Sequence, residues 1–354
     1  MRYLVWFFVF IFLAIRIFVY FESIPSYSGG TVIRIKDTVR SEPLRFKKSQ
    51  YLRLKGYKIY LPKYPEINYG DEVIIKGVVD KDSLKKAELI KVNETTKILI
   101  KLRSRLIDFF QKSLPFRHAS LVSGVVMGSK QGLDMQFWEK LKNTGTVHVV
   151  VASGMNVTIV AKFLITLLAI VLPRRKAIPF ALVGIWSYSI LSGFDAPIVR
   201  ASIMGSLAFI AQELGRLYYA GRTLLITAVL MVLIKPEWII DLGFILSFVA
   251  TASILLIEEP INSFFKKVPS FLRSDLSATL SAQIGVAPIL YASFGQFNLL
   301  SPIYNIAVLW TIPIITLIGM ISGITSLVFV PLGQLILYLA YPFTSWFIFC
   351  TTFI

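Results

Sequence analysis

Apolar and polar positions fall into three regimes along this chain. Tyr3 to Phe21 is an almost unbroken apolar run, interrupted by Arg16. Between Glu22 and Arg105 apolar residues come singly or in short runs among charged ones, and from Thr146 the chain is apolar again almost to Ile354. A membrane-spanning helix needs about 20 predominantly apolar residues. The pattern therefore predicts an anchor over residues 1–21 and spans near 146–172, 177–193, 197–214, 223–234, 237–257, 275–294, 303–330 and 333–354. A cleaved signal peptide is the alternative for the first run. Its length, and the Phe21-Glu22-Ser23-Ile24-Pro25 sequence that follows in place of an A-x-A site, favour a retained anchor. Pro288, Pro302 and Pro313 are expected to kink or break their helices, which lipid tolerates where neighbours or water satisfy the freed backbone.

The middle regime reads as short strands: Thr31–Lys36, Gln50–Leu61, Asp71–Val79 and Ala87–Val92, with Tyr69-Gly70-Asp71 as a tight entry to the third. Several short strands in so small a segment suggest an all-β domain over residues 22–98, an OB-type barrel by expectation. Ile98, Leu102, Leu106, Phe109 and Phe110 then recur at helical spacing among Lys97, Lys101, Arg103, Arg105 and Lys112. Residues 99–145 are accordingly expected to be an amphipathic segment at the membrane interface, or else one packed on the barrel.

Composition sharpens this into a fold class. Of 354 residues 55% are hydrophobic and only 16% charged, with a mean hydropathy of +0.69. A soluble domain is nearer 25% charged, so the chain reads as a polytopic α-helical membrane protein with an inserted all-β domain. Disorder is excluded by the same figures. One cysteine, Cys350, and two histidines, His118 and His148, leave no disulfide framework and almost nothing for a metal site. Gly-rich phosphate loops, paired catalytic carboxylates and Ser-His-Asp arrangements are absent, so no cofactor and no enzymatic activity are expected.

Charge sets the orientation. With the N-terminus inside, the inner loops collect Arg2, Arg174, Arg175, Lys176, Arg216, Arg222, Lys266, Lys267 and Arg273, against Lys235 alone in the outer short loops beyond residue 177. This places residues 22–98 outside the plasma membrane. The stretch from Glu22 to Arg105 holds 19 Lys+Arg against 10 Asp+Glu, a net of +9.

Arg45 to Tyr64 is the chemically distinctive part of that domain. It holds Arg45, Lys47, Lys48, Arg53, Lys55, Lys58 and Lys63 with Phe46, Tyr51, Tyr57, Tyr60 and Tyr64, and no acid. As one strand it puts Tyr51, Arg53, Lys55 and Tyr57 on one face and Leu52 and Leu54 on the other. Ile59 and Leu61 have the wrong parity to join those leucines unless Gly56 carries a bulge. Rings alternating with cations suit single-stranded nucleic acid, stacking bases and pairing phosphates. A solvated strand whose lysines discourage edge pairing is the alternative.

Ionisable and polar groups inside the spans are the second set of candidates. His148, Arg200 and Asp241 each fall a few residues inside an outer end. Arg200 lies about one turn into a helix opened by Ala196-Pro197, where its charge opposes the helix dipole unless an anion is near. Asp241, Asp195 or a passing phosphate are the possible anions, and snorkelling to the interface is the bland alternative. Ser153-Gly154 permits close helix approach or a break, and Gln283 and Asn305 could line a wet path or join helices.

Four stretches taken together resemble the ComEC-type DNA-internalisation channel of bacterial natural competence. They are Gly124-Val-Val-Met-Gly128 through Gly132-Leu-Asp134 and Thr144-Gly145 to His148-Val-Val-Val-Ala-Ser-Gly154; Ala196-Pro-Ile-Val-Arg200 through Met204; Ala220-Gly-Arg222 with Asp241-Leu-Gly-Phe-Ile-Leu-Ser-Phe248; and Ala282-Gln283, Ala287-Pro288, Phe294-Gly-Gln-Phe297 and Asn305. Tyr69-Gly-Asp-Glu-Val-Ile-Ile-Lys-Gly77 is similar to that family's extracellular domain. The resemblance implies a multi-span channel domain over residues 146–354 that passes one DNA strand while the other is degraded. It implies a separate nuclease and a cytoplasmic motor as partners, since the chain carries no nucleotide-binding motif. Asn156 stands where the family usually has a second histidine. Many members also carry a C-terminal metallo-β-lactamase-like domain, and this chain stops at Ile354 within an apolar run, as a short member or a truncated one would.

The expected function is single-stranded DNA translocation across the bacterial plasma membrane. The outer contacts are assigned to Tyr51, Arg53, Lys55 and Tyr57, and the pore region to His148, Ser153, Gly154, Asn156, Arg200, Asp241 and Gln283. The rivals are a transporter for another anionic solute, and a membrane-anchored binding protein whose outer domain holds a protein or sugar.

Overall fold

The structure is a computed structural model describing residues 2–23, 27–46, 49–151, 153–295, 298 and 300–353. It begins with the helix α1 (Arg2–Glu22), which lays Leu13 and Ile17 against the bundle and joins Tyr20 Oη to Glu237 Oε2 at 3.0 Å. Phe7, Phe8, Phe12 and Phe18 stay exposed, as a lipid-facing surface requires.

The strands are β1 (Val32–Thr38), β2 (Leu44–Arg45), β3 (Ser49–Leu54), β4 (Tyr57–Pro62), β5 (Glu72–Asp80) and β6 (Ser83–Asn93). They form one mixed sheet in the order β1-β5-β6-β4-β3-β2, with β4 and β6 parallel and the other pairs antiparallel. Among the described residues β1 and β2 are its two free edges, so the sheet is not the closed barrel expected. Ile33, Ile35, Leu52, Leu54, Ile59, Leu61, Val73, Ile75 and Val79 alternate onto one face as its core. Gln50 is buried on that face with its amide used in full, donating to the Pro62 and Pro65 carbonyls and accepting from Ile67 N.

The run expected as one strand over Gln50–Leu61 is a hairpin. Lys55 and Gly56 take positive φ, 45° and 89°, at the two central positions of its turn. This is the left-handed pair that matches the twist of antiparallel strands. The reversal restores the parity that a single strand lacked, so Leu52 lies opposite Ile59 and Gln50 opposite Leu61 on the inner face.

Three helices connect the sheet to the spans: α2 (Ile98–Ser113), α3 (Phe116–Met127) and α4 (Met135–Thr144). The apolar side of α2 packs into the bundle, with Ile100 at its start against Gly70 of the sheet domain. Leu106, Ile107 and Phe110 are buried in the largest core of the bundle, which also holds Val122, Val125 and Val126 of α3. The remaining helices are α5 (Val147–Val150), α6 (Gly154–Val171), α7 (Arg174–Leu191), α8 (Ala196–Glu213), α9 (Ala220–Ile234), α10 (Leu242–Phe264), α11 (Ser270–Phe294), α12 (Ser301–Leu309), α13 (Thr311–Val328), α14 (Val330–Tyr338) and α15 (Tyr341–Phe353), with a 3-10 turn over Pro236–Ile240. Glycines let α13 approach the connecting helices: Gly319 lies against Val122 and Val126, and Gly323 against Leu106 and Phe110.

Among the described residues, four stretches are long and apolar enough to cross a membrane: Val147–Val171, Leu242–Phe264, Arg273–Ser293 and Thr311–Val328. A fifth arises if Val330–Tyr338 and Tyr341–Thr352, bent by 46°, count as one span. Lys176–Leu191 and Ala220–Ile234 are shorter apolar helices. The span expected over 303–330 is divided into α12 and α13. Pro302 and Pro313 sit near the starts of these two helices, where a missing N–H has no intrahelical partner to lose. Of these three prolines, Pro288 is the one that lies well inside a helix, α11.

The sheet is bound to the bundle through Arg103 of α2, whose side chain is 3% exposed. One guanidinium nitrogen donates to the carbonyls of Met127 and Leu191, the latter at 2.8 Å. These are the terminal residues of α3 and α7, whose last carbonyls have no intrahelical donor. The other terminal nitrogen is 3.4 Å from Glu42 Oε1, in the β1–β2 connection, and the guanidinium lies over the Tyr69 ring.

Replacing Arg103 with Met should leave Glu42 buried without its cation and lower stability by about 3–5 kcal/mol, measured as thermal unfolding of the detergent-solubilised chain. Lys36→Ala removes a solvent-exposed pair with Glu72 and should leave the melting temperature essentially unmoved.

Candidate functional site

On the sheet, the hairpin decides which side chains share a surface. Tyr51 lies opposite Tyr60 and Arg53 opposite Lys58, so the exposed side carries Tyr51, Arg53, Lys58 and Tyr60. The two tyrosine rings are 5.0 Å apart between centroids. Lys58 is 2.7 Å from Asp82, whose hydrogen bond and charge hold the ammonium group above the ordinary lysine range. Arg53 Nε donates to the Gly56 carbonyl at 3.3 Å. Lys55 is exposed in the turn itself. Tyr57 faces the other way, opposite Leu54 and half-buried against the sheet core. The face expected as Tyr51, Arg53, Lys55 and Tyr57 thus keeps its first two members, and Lys58 and Tyr60 replace the others. The signal was the Lys55-Gly56 pair read as a two-residue turn. Lys47, Lys48, Ala152, Gln296 and Phe297 lie outside the described residues.

In the bundle, the Val147–Val171 stretch is divided into α5 and α6, and α6 starts at Gly154 after Ser153, whose side chain makes no capping bond. A Cβ at Gly154 would lie 2.9 Å from an Arg200 guanidinium nitrogen and 3.2 Å from Ala201 Cβ, so only glycine lets α8 press on this helix start. Arg200 Nη1 donates to the Ser247 carbonyl of α10 at 2.6 Å, and its Nε is buried without a partner. Two residues further along α6, Asn156 is fully buried. Its amide donates to the Val125 carbonyl in the last turn of α3 at 2.8 Å, while its Oδ1 has no partner.

Asp241 is not the counter-ion of Arg200. Among the described residues no carboxylate lies within ion-pair distance of that guanidinium, and Asp241 instead caps α10, accepting from Phe244 N at 2.8 Å. Gly154, Arg200 and Ser247 therefore gather at one junction of α6, α8 and α10, with Asp241 at its edge, while Asn156 ties α6 to α3.

His148 and Gln283 belong to a second polar group around the α4–α5 turn. The exposed His148 ring faces the Gly145 backbone. Gln283 Nε2 donates to the Asn298 carbonyl at 2.9 Å, and the Asn298 amide donates in turn to Asn143. Gly145 abuts Ser301, and buried Asn305, one turn further along α12, keeps its Oδ1 unpaired. Ser189 and Ser202 bond each other at 2.6 Å between α7 and α8, and the buried Tyr188 hydroxyl lies beside that of Ser192. Sequence reasoning passed over these, because serines and tyrosines in apolar runs carry no distinguishing pattern.

It also passed over Glu42, and it counted Arg103 among surface cations. The signal for Arg103 lay in the periodicity, since Ile100, Arg103, Ile107 and Phe110 form one helical stripe with the arginine at its centre. Beside this pair a cavity of about 30 Å³ is lined by Tyr69, Lys130, Ser192 and Asp195 as well. Burial pushes the Asp195 carboxyl above the usual range, against the pull of Lys130 and Arg103. Among the described residues no three His, Cys, Asp or Glu side chains are grouped to hold a metal ion.

Comparison with known proteins bears on what this architecture serves. Residues 125–354 match the family described as Competence protein. The chain is 24% identical over 230 residues to ComE operon protein 3 of Bacillus subtilis (strain 168), covering 65% of this chain and 29% of that one. It is 29% identical over 233 residues to an uncharacterised protein of Aquifex aeolicus (strain VF5), covering 65% of this chain and 54% of that one. The matches thus span about a third to a half of the relatives' length. No solved structure matches. With its set of apolar helices and a family match over most of its length, the chain is a multi-pass membrane protein and belongs to the competence protein family.

Proposed function

We propose that this protein is a channel component that passes single-stranded DNA across the bacterial plasma membrane during natural transformation. Family membership supports a role in DNA uptake. The observation that carries the finer reading is Arg200, a guanidinium at the start of α6 with a buried unpaired Nε and no carboxylate in ion-pair range among the described residues. A polyanion cannot cross hydrocarbon without fixed cations along a polar path, and a cation whose charge no side chain answers is suited to a transient anion. The backbone N–H groups at the start of α6 point positive dipole into the same place.

Outside, the Tyr51–Tyr60 pair with Arg53 and Lys58 offers stacking surfaces between positive charges. In this reading the N-terminus is cytoplasmic, residues 22–98 face outward, and the strand passes from the sheet to the Arg200 junction. A separate nuclease and a cytoplasmic motor supply degradation and driving force. Transport of a small anionic solute would also use Arg200, but it gives no role to paired tyrosines on an exposed basic face.

The full chain in lipid nanodiscs should bind an oligothymidylate with a salt slope of about −0.7 per phosphate contacted. Tyr51→Ala with Tyr60→Ala should weaken that binding by about 1–3 kcal/mol for each base unstacked, whereas Tyr57→Phe should leave it unchanged. Loss of affinity on Tyr57→Phe alone, with the Tyr51 and Tyr60 changes silent, would reverse the assignment. Gly154→Val should block passage of a labelled strand through reconstituted membranes while leaving oligonucleotide binding intact, and Arg200→Gln should act in the same direction. Strand passage unaffected by both would remove the junction from the path.

A further inference from the structure

Glu42 is held in an unusual way. Its carboxylate belongs to the sheet domain, yet every group that binds it belongs to the helical part. Oε1 accepts from the Ser129 hydroxyl at 2.9 Å and faces the Arg103 guanidinium at 3.4 Å, while Oε2 accepts from Lys130 N at 2.5 Å. The donors converge because Gly128, in the left-handed region at φ 66°, ends α3 and turns the chain over. The Ser129 hydroxyl is itself fixed, accepting from Gln131 N at 3.2 Å. The turn and Arg103 thus present only donors to one point, as oxyanion-binding backbone nests do. The site is also larger than its occupant. The adjoining cavity of about 30 Å³ has Lys130 and the buried Ser192 hydroxyl in its wall, the latter beside the Tyr188 hydroxyl. A carboxylate is planar with two oxygens, and a tetrahedral oxyanion would carry further oxygens toward that donor. Asp195 in the same wall is the opposing charge.

We propose that Glu42 is a resident stand-in for a phosphodiester. The Gly128–Gln131 turn with Arg103 forms a phosphate oxyanion site that the sheet domain's own carboxylate fills at rest. A phosphate of the incoming strand takes that place and releases the sheet from the bundle. The identity of the strand rests on the DNA-uptake reading above; the oxyanion chemistry does not.

The test uses the full chain in phosphatidylcholine nanodiscs, with a labelled oligothymidylate and inorganic phosphate as separate probes. Glu42→Gln removes the competing charge and keeps an amide beside Arg103. It should tighten oligonucleotide binding on the order of tenfold, the scale of one charge-assisted contact, and adding Ser129→Ala should reverse most of that gain. Inorganic phosphate should raise the melting temperature of Glu42→Gln but not that of the unaltered chain. In the unaltered chain, saturating oligonucleotide should speed hydrogen exchange over residues 39–43 and slow it at Lys130, a readout independent of how the variant folds. Equal oligonucleotide affinity for both proteins, with no phosphate effect and no exchange change, would overturn the inference and leave the DNA reading standing. Phosphate stabilisation of Glu42→Gln with no oligonucleotide binding to either protein would keep the oxyanion site and remove the DNA reading. A gain that appears only in phosphatidylglycerol discs without oligonucleotide would make the occupant a lipid headgroup and overturn the phosphodiester assignment.

Discussion

Arg103 enters the protein interior with a full set of N–H donors and no carboxylate on its own helix in reach, and much of the architecture answers that demand. The α3 and α7 helices both terminate at it, so that Met127 and Leu191 offer carbonyls that would otherwise be unpaired. The negative ends of two helix dipoles thereby meet one cation. Glu42 supplies the remaining charge from the sheet, and the Tyr69 ring covers the guanidinium face. Helix termini, sheet placement and charge neutrality are thus settled at one side chain. Asn156 performs a smaller version of the same task, taking up the Val125 carbonyl in the last turn of α3.

Arg200 makes the contrast. It is also an arginine pressed among helices, but its surroundings stop short of satisfying it. Ser247 provides one carbonyl, Asp241 is committed to capping α10, and Nε is left unpaired. The Arg103 guanidinium is met at rest by a carboxylate of the chain itself, whereas that of Arg200 is met by none among the described residues. Asn156 bears on how the junction is built. It anchors the start of α6 by donating to a helix-end carbonyl of α3.

Much of this was legible in the chain. The apolar runs located α6, α10, α11 and α13, and the run over Asp71–Val79 located β5, because these signals depend only on near neighbours and on a fixed period. The motifs around Gly154, Arg200 and Asp241 marked the junction before its geometry was known. What escaped depended on direction reversal or distance. Lys55-Gly56 turns the chain and exchanges Tyr57 for Tyr60 on the outer face, which no count of alternation reveals while the run is read as one strand. The Arg103–Glu42 pair joins a helix to a loop on the far side of the sheet, and nothing in the spacing of either names the other. The edges of the sheet escaped for the same reason, since closure depends on which distant strands meet.

The partners of Arg103 also set an order of assembly. Glu42, Arg103, Met127 and Leu191 leave the ribosome in sequence, and the last arrives only when α7 is complete. The sheet draws its core from its own strands and the connections that carry Val39 and Ile67, so it can fold while still tethered and undocked. Its attachment must wait for the membrane helices. During biogenesis the sheet domain is then a finished module beside an unfinished bundle, with an acid and a base solvated apart, and their burial marks the docking of the two parts.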